Sequence, residues 1–532
     1  MTDDSSLGLD GTDLTVEGVV AVAREDRPVE VTEAARQAVR TGRERVESVL
    51  DAGDAVYGLN TGFGDLVDTR IPSDEVDDLQ TNLLRSHAAG SGRDLSREEV
   101  RALLVVRLNT LLRGYSGVRE VVIDHLLTLL NRGVHPVVRS RGSLGASGDL
   151  APLAHLSLVL LGEGAADVDS DGDGDSGTER VSGAEALRRA DLDPLTLRAK
   201  EGLALINGTQ LTTGLAALAL FDAERLVRAA DAASALTTEV TMGSTAACDP
   251  AIHGLRPHRG QAASARNVKR LTRESEIVES HRNCDRVQDA YSIRCLPQVH
   301  GAVRDAVSHL REAVEAELNA VTDNPIVFPR DALDARASGT DTAAVVSGGN
   351  FHGAPLAHRL DYVTAALTDL ASIAERRIDR TLNPSIQESH LPPFLTADSG
   401  VRSGYMIPQY TAAALVNECR AEGRPATDST PVSGGQEDHV SMSATSALTT
   451  RRTLDRARRV VAIELLCAAQ AAEFVDDLRH GVGTGAVYDI VRAVVEPLDE
   501  DRPSDGDVDA LAALVGDGRL DAALFDAVEE LE

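Results

Sequence analysis

The sequence predicts a mainly α-helical protein, with an N-terminal helical domain and a central bundle of long helices. Strand-like alternation of apolar and polar residues is scarce, whereas apolar residues recur at helical spacing along most of the chain. Hydrophobic residues make up 42% of the 532 residues, which is enough for a large buried core. We place the domain boundary near residue 206, so that 1–206 form the first domain and 207–532 form the bundle with its C-terminal helices.

In the N-terminal domain, apolar periodicity predicts helices at 32–50, 97–113 and 118–131. A short apolar run from Leu153 to Leu161 predicts a further helix. The predicted helix at 118–131 is rich in leucines that we expect to be buried, namely Leu126, Leu127, Leu129 and Leu130.

An acidic stretch at 167–177 interrupts this domain. Its first six residues match a calcium loop, but position twelve is Thr178 where such a loop has a bidentate Glu. We therefore interpret the stretch as a disordered acidic insertion, with calcium binding as the lesser alternative.

The segment Gly202–Gln210 is predicted to open a long helix. A second long helix follows residue 353, where apolar residues alternate at four-three spacing, as they do in the seam of a helix bundle. The stretch from Gly434 to Met442 is predicted to start a third, which reaches about Phe474.

The charge balance excludes some classes of partner. Acidic residues outnumber basic ones by 84 to 53, and the net charge of −31 argues against nucleic acid or an anionic membrane. Lys200 and Lys269 are the only lysines, and such an acidic, lysine-poor composition resembles proteins from salt-adapted organisms. The five cysteines lack CxxC spacing and no signal peptide is visible, so we expect a cytoplasmic protein with neither a disulfide framework nor a metal site.

The most informative stretch is the glycine-rich segment 142–153, which contains Ala146-Ser147-Gly148. If the turn is tight enough, the Gly148 nitrogen can close onto the carbonyl carbon of Ala146 and expel water. Loss of the Ser147 hydroxyl expels a second water and leaves an exocyclic methylene, which is a strong electrophile. Since no ordinary side chain is electrophilic, such a group would mark an enzyme. The alternative is a glycine loop that binds an anion before a helix.

Other motifs supply candidate polar residues. Tyr57 lies in the glycine loop Tyr57–Gly64, as either a surface tyrosine or a positioned acid or base. His87 precedes a loop, and a lone histidine is more often structural than functional. Asn207 begins an Asn-Gly-Thr sequence that also matches a glycosylation acceptor, although no secretory signal supports that alternative.

The second half of the chain adds further candidates. If their segment is helical, Gln288, Tyr291 and Arg294 share one face and could bind a carboxylate and an amine together, since Arg forks onto carboxylates. Otherwise they form an ordinary polar face. Phe351 lies in another glycine loop, and Glu437 is interpreted either as a site residue or as an acidic residue that stabilises a helix N-terminus.

These motifs, in this order over almost the whole chain, resemble those of the aromatic amino acid ammonia-lyases. The resemblance implies a fumarase/aspartase-like helical fold. It also implies that Ala146, Ser147 and Gly148 form a 4-methylidene-imidazol-5-one prosthetic group, with Ser147 becoming dehydroalanine, and that no metal or nucleotide is bound. It further implies a homotetramer with active sites shared between subunits.

The resemblance also assigns roles to the candidates. Tyr57, Tyr291 and Glu437 are expected at the reacting atoms, with Tyr57 or Glu437 taking a β-proton. Binding of the substrate is expected from the remaining residues, which are His87, Asn207, Gln288, Arg294 and Phe351.

Two positions indicate the substrate. Ser86-His87 and Glu437 resemble the family members that act on histidine, whereas members acting on phenylalanine look apolar at the first position and carry Gln at the second. The expected reaction is elimination of ammonia from L-histidine to give trans-urocanate, the first step of histidine breakdown. A phenylalanine or tyrosine ammonia-lyase, an aminomutase on the same scaffold, and a non-catalytic acidic helical assembly stay open as alternatives.

Overall fold

The structure, a computed structural model, describes residues 6–52, 71–72, 75–170, 177–282, 286–333, 337–475 and 477–532. Its helices are α1 (Val16–Arg24), α2 (Glu33–Ala52), α3 (Val76–His87), α4 (Arg97–Leu112), α5 (Glu120–Asn131), α6 (Leu150–Leu158), α7 (Gly183–Arg189), α8 (Glu201–Ile206), α9 (Gln210–Val240), α10 (Pro250–Gly254), α11 (Arg259–Leu271), α12 (Glu276–Ser280), α13 (Tyr291–Arg294), α14 (Leu296–Leu318), α15 (Ala354–Leu382), α16 (Met406–Ala421), α17 (Ser443–Ala472), α18 (Val482–Arg492), α19 (Asp505–Gly516) and α20 (Arg519–Val528). Its strands are β1 (Leu7–Leu9), β2 (Val29–Val31), β3 (Ser91–Asp94), β4 (Val134–Pro136), β5 (Arg139–Arg141), β6 (Ala165–Asp169), β7 (Thr178–Ser182), β8 (Ile326–Pro329), β9 (Ser338–Gly339) and β10 (Ala343–Val346).

The chain divides into two compact units. The first comprises Met1–Leu218, Arg311–Asp361 and Arg424–Leu448. The second comprises Ala219–Leu310, Tyr362–Gly423 and Thr449–Glu532. Four of the unit boundaries fall inside the long helices α9, α14, α15 and α17. The domain boundary expected near residue 206 stays a prediction.

The strands are short and all belong to the first unit, within the part of the chain that the structure describes. They form the parallel pair β1–β2, the antiparallel pair β3–β5, and three-stranded sheets in the orders β4-β6-β7 and β8-β10-β9. Helices therefore dominate, and the predicted mainly α class is confirmed.

Several helices lie where periodicity predicted them. α2, α4 and α5 match the expected segments to within a few residues. α4 begins with a capping box in which Ser96 and Glu99 bind each other's backbone N–H groups, which fixes its first turn. The expected seam of α15 is buried throughout, with Leu356, Leu360, Val363, Leu367, Leu370 and Ala374 all inaccessible to solvent. No helix among the described residues has the length and apolar character needed to cross a membrane.

The acidic insertion differs from the prediction at its start. Asp167 and Asp169 belong to β6, which pairs with β7, so the expectation of disorder is wrong there. The reason is neutralisation by arginine: Arg180 lies 2.8 Å from Asp167, and Arg97 lies 2.7 Å from Asp169. The insertion's residues 171–176 lie outside the described residues. Within the part of the chain described, no group of three or more His, Cys, Asp or Glu residues could hold a metal ion.

Two long helices begin later than predicted. The helix expected from residue 202 is broken after α8, and α9 starts at Gln210. The helix expected from about residue 434 starts at Ser443, because Gly434, Gly435 and Met442 have positive φ angles that a right-handed helix does not allow. Both changes place non-helical backbone beside the segment 142–149.

Candidate active site

The segment 142–149, hereafter the Ala-Ser-Gly loop, adopts the tight turn that its glycines predict. Gly145 and Gly148 have φ angles of +64° and +77°, in the left-handed region that favours glycine. A side chain on Gly148 would place its Cβ 2.1 Å from the carbonyl oxygen of Gly208. The backbone of Gly208 can therefore approach only because residue 148 has no side chain.

Four chain segments of the first unit surround this loop. Ser91 pairs with Arg141 just before it, and Asp149 N donates to Gly208 O at 2.7 Å just after it. Leu144 O and Gly145 O accept hydrogen bonds from Met442 N at 2.7 Å and from Gly353 N at 3.2 Å. Each surrounding segment carries one predicted site residue nearby in sequence, and these are His87, Asn207, Phe351 and Glu437.

Ser147 is bound by two of those residues directly. Its hydroxyl donates to Glu437 Oε1 at 2.6 Å, and its carbonyl oxygen accepts from Asn207 Nδ2 at 3.1 Å. Asn207 is buried, and its Oδ1 has no hydrogen-bond partner among the residues that the structure describes. Three residues singled out from separate motifs thus meet at one point.

Glu437 does not lie on a helix. It follows a short turn at Ser433–Gly435 and pairs its backbone with Val432, six residues before α17. The alternative that Glu437 only stabilises a helix N-terminus is therefore wrong, and its carboxylate is directed at Ser147 instead.

His87 is the last residue of α3, as the sequence predicted for a histidine before a loop. Its Nδ1 lies 2.9 Å from Leu83 O, and a carbonyl oxygen only accepts, so Nδ1 carries the hydrogen. In the neutral ring, Nε2 is then a hydrogen-bond acceptor. Phe351 lies in a turn, half-buried, two residues before the Gly353 N–H that binds the loop.

Gln288, Tyr291 and Arg294 belong to the second unit. Only Tyr291 and Arg294 lie on a helix, the four-residue α13, so the expectation that all three share a helix face is wrong for Gln288. The segment before α13 is held by Asp289, which accepts from Ser244 N at 2.8 Å.

All three nevertheless line one cavity of about 630 Å³ in that unit. The guanidinium carbon of Arg294 lies 4.8 Å from the ring centroid of Tyr291, so the two side chains form a cation–π pair. The cavity therefore offers an amide, a phenol and a guanidinium together. Tyr57, the remaining predicted site residue, lies outside the described residues.

Asp149 is the site residue that sequence reasoning missed. It is fully buried and accepts hydrogen bonds from Ser143 Oγ at 2.6 Å and from Thr212 N at 2.9 Å, in the first turn of α9. Burial raises the pKa of its carboxyl above the usual value, although these hydrogen bonds oppose the shift. An Asp between a glycine turn and an apolar helix suggests an ordinary N-cap, and nothing in the sequence shows that it binds a second helix.

The helical fold and the Ala-Ser-Gly loop define a carbon–nitrogen lyase with a fumarase/aspartase-like architecture. A sequence model described as aromatic amino acid lyase matches residues 14–493. A relative named probable histidine ammonia-lyase, from Halobacterium salinarum, is 61% identical over 522 residues, which is 98% of each chain.

Solved structures agree on the fold. Histidine ammonia-lyase from Trypanosoma cruzi has a TM-score of 0.88 at 37% identity, over 98% of this chain and 96% of that one. Tyrosine aminomutase from Streptomyces globisporus has a TM-score of 0.90 at 36% identity, over 99% of this chain and 100% of that one. The chain belongs to the aromatic amino acid lyase family.

Proposed function

We propose that the protein eliminates ammonia from L-histidine to give trans-urocanate, the first step of histidine breakdown. The observation that carries the proposal is the 2.6 Å hydrogen bond between Ser147 and Glu437. It joins the residue expected to become the electrophile to a residue expected to bind the imidazole. The many relatives named histidine ammonia-lyase, among them one from Gloeobacter violaceus at 49% identity over 99% of each chain, support the same substrate.

The loop fits the prosthetic group that the family uses. We propose that Gly148 N bonds to the carbonyl carbon of Ala146, whose oxygen leaves as water with one hydrogen from Gly148 N and one from Ser147 N. The Ser147 hydroxyl leaves as a second water with the hydrogen on its Cα. When formed, the group supplies an electrophile that no ordinary side chain offers. Asn207 and Gly208 would hold it, and the unpartnered Oδ1 of Asn207 supports a site built for a further polar group.

The remaining residues would bind the substrate and move its proton. Arg294 is assigned to the carboxylate because its guanidinium can bind both oxygens, with Gln288 and Asn207 orienting it. Tyr291 would position the amine, and Phe351 would contact the substrate.

His87 and Glu437 are assigned to the imidazole ring. Tyr57 is the proposed base for the β-proton, which is not acidic in free histidine, and Glu437 is the rival.

An aminomutase is the second candidate, because tyrosine aminomutase matches the whole fold with a TM-score of 0.90. Such an enzyme would move the amine from the α-carbon to the β-carbon instead of releasing it. A non-catalytic acidic assembly is the third possibility, and it requires no loss of water from residues 146–148.

We also propose a homotetramer with shared active sites. Exposed apolar side chains on α16, including Ile407 and Tyr410, support burial against another copy. The net charge of −31 supports an origin in a salt-adapted organism, and we propose the cytoplasm as the compartment. Sedimentation of an active tetramer in molar salt is the expected result for assembly, whereas a fully active monomer would contradict it.

The activity test uses the full chain in molar salt with L-histidine. Urocanate and ammonia in equal amounts are expected, with urocanate followed by ultraviolet absorbance and by proton spectra. A β-amino acid as the main product would identify an aminomutase. An intact mass equal to the sequence mass, without the loss of two waters, would overturn the proposed mechanism.

A further inference from the structure

Arg107 on α4 is a buried cation that the assignments above do not use. It is completely inaccessible to solvent. Its Nη1 donates to the backbone carbonyl of Asn207 and to Gln210 Oε1, both at 2.9 Å. Both acceptors lie at the break between α8 and α9, beside the Ala-Ser-Gly loop.

The break creates the need for such a donor. The hydrogen bond from Thr213 N to Thr209 O starts α9, so Asn207 O precedes its ladder. A buried carbonyl without a donor is unfavourable, and Arg107 supplies that donor. Gln210 is fixed at its other end, where Nε2 donates to Thr322 Oγ1 at 2.8 Å. Arg107 therefore determines the path of the backbone through the break.

That backbone path reaches the loop at two points. The side chain of Asn207 binds Ser147 O at 3.1 Å, and Gly208 O accepts from Asp149 N at 2.7 Å. Residues 207 and 208 thus form hydrogen bonds with the loop on both sides of Gly148. A displacement of Asn207 O would therefore disturb both of these hydrogen bonds together.

The burial of Arg107 at this position lowers the stability of the fold. Its Nε and Nη2 are buried and have no hydrogen-bond partner in the described structure. Uncompensated buried N–H groups destabilise a fold, and an apolar side chain of similar size would avoid the loss. Burial lowers the pKa of Arg107 to about 10, while Asp323 favours the charged form, so the residue stays charged at neutral pH. A buried cation with unpaired N–H groups points to a role other than stability.

We infer that Arg107 is a positioning residue for the Ala-Ser-Gly loop, acting through Asn207 and Gly208. The inference rests on the proposed function, since it concerns the residues that would form and hold the electrophile. Arg107 itself touches neither the loop nor the substrate in this assignment. Loss of its two hydrogen bonds should slow the loss of two waters and misplace the methylene, while the groups assigned to the substrate other than Asn207 stay in place.

The chain offers a matched control on the same helix. Arg101 is also buried and donates to two backbone carbonyls, Val22 O at 2.9 Å and Leu130 O at 3.0 Å. Neither acceptor belongs to the segments around the loop. Arg107→Met and Arg101→Met therefore each remove a buried guanidinium with two hydrogen bonds. Those bonds come from Nη1 alone at position 107 and from Nε and Nη1 at position 101.

The experiment measures intact mass, melting temperature, kcat and KM for the wild type and both variants in molar salt. Arg107→Met should lower the fraction of chains that lack two waters, and kcat per matured chain should fall about 100-fold, as expected for a displacement near 1 Å. KM should rise far less than kcat falls, because Asn207 is the one substrate-assigned group that Arg107 binds, while Arg294 and Gln288 are unchanged. Arg101→Met should lower the melting temperature, but its chains should still lack two waters and its kcat should be unchanged.

If the Met variants do not fold, the milder substitutions Arg107→Lys and Arg101→Lys test whether Arg107 positions the loop. A lysine at 107 keeps the charge and one donor nitrogen, as Nη1 provides, but its shorter side chain places that nitrogen differently, so a smaller loss of kcat confined to position 107 is expected. Equal effects at the two positions, or failure of both Arg107 variants to fold, would overturn the inference. A wild-type chain that keeps both waters would instead overturn the proposed function.

Discussion

Ser147 and Glu437 are 290 positions apart in sequence, yet the serine hydroxyl donates to the glutamate carboxylate at 2.6 Å. The contact depends on the late start of α17, because residues 437–442 run beside the loop as non-helical chain. The carboxylate assigned to the substrate ring is thereby placed at the residue assigned to the electrophile.

Ser147→Ala should abolish turnover while the fold survives. The methylene cannot form without the hydroxyl. The mature wild type has itself lost that hydroxyl and its hydrogen bond to Glu437, so the free energy of unfolding should change by no more than about 1.5 kcal/mol. Intact mass should show at most one water lost, and near-ultraviolet absorbance beyond that of tyrosine should disappear. Ser157→Ala is the control, since Ser157 Oγ binds only carbonyl oxygens, the nearest being Leu153 O at 2.7 Å. Turnover by Ser147→Ala equal to that of the control would contradict the assignment.

Gly148→Ala should prevent correct closure of the loop. The new Cβ would meet Gly208 O at 2.1 Å, in addition to the strain of a φ angle of +77°. Gly164→Ala isolates the second effect, because its φ is +68° but the new Cβ meets only Leu158 at 3.5 Å.

We expect the control to lose about 1–3 kcal/mol of unfolding free energy and to keep its activity, whereas Gly148→Ala should lose activity and the mass change. Denaturant titration measures the loss of unfolding free energy in each variant, and intact mass shows whether each variant has lost the two waters. Full maturation of Gly148→Ala would show that the approach of Gly208 is not required.

Asp149→Asn should change how stability depends on pH. Burial raises the pKa of Asp149 above 3.8, so the fold favours the protonated carboxyl. Its stabilising contribution is therefore complete below pH 3.8 and is lost as the pH rises through the folded-state pKa. Asparagine does not ionise, so the free energy of unfolding of the variant minus that of the wild type should rise with pH over this range and then level off. Denaturant titrations at a series of pH values measure this difference, and a flat difference would contradict the role of burial.

Local patterns predicted most of the helices, because buried apolar stripes such as that of α15 dominate their energetics. They failed where tertiary contacts compete with the helix. Residues 437–442 were expected to be helical, but Met442 N binds Leu144 O and Ser441 Oγ binds Gly145 O. Gln288 would share a helix face with Tyr291 and Arg294 only if its segment were helical, but Asp289 ties that segment to Ser244 N.

The site residues were recognisable because they occur in distinctive short motifs. Asp149 and Arg107 were not, because their function depends on contacts with other elements. Asp149 resembles a helix cap and Arg107 resembles one more charged residue of an amphipathic helix. Only the fold reveals that Asp149 binds α9 through Thr212 and that Arg107 binds the backbone carbonyl of Asn207.

Low salt should destabilise the protein. At a net charge of −31, like charges repel over about 30 Å at 0.01 M ionic strength but only about 3 Å at 1 M. We expect the melting temperature, assembly and activity to fall on transfer from molar to millimolar potassium chloride. Sucrose at matched osmolality is the control, since it does not screen charge. Restoration by sucrose alone, or indifference to salt, would contradict the electrostatic explanation.

Substrate choice should depend on His87 and Glu437. With Nδ1 of His87 bound to Leu83 O, its Nε2 is available as an acceptor, and Glu437 offers a carboxylate. A phenyl ring would leave both groups unpaired, so the wild type should discriminate against phenylalanine by about 10⁴–10⁵ in kcat/KM. His87→Leu combined with Glu437→Gln should lose most activity on histidine and raise the relative rate on phenylalanine.

Single variants separate the two contributions. Glu437→Gln alone should lower kcat more than it raises KM, because the charge stabilises a protonated imidazole as the β-proton leaves. His125→Leu is the control, since its Nδ1 also lies 2.9 Å from the carbonyl four residues earlier, Val121 O, while its Nε2 lies 2.9 Å from Asp193 O. Formation of urocanate and cinnamate is measured for every variant. If His87→Leu and Glu437→Gln each kept the wild-type preference for histidine, as His125→Leu should, neither residue would bind the substrate ring.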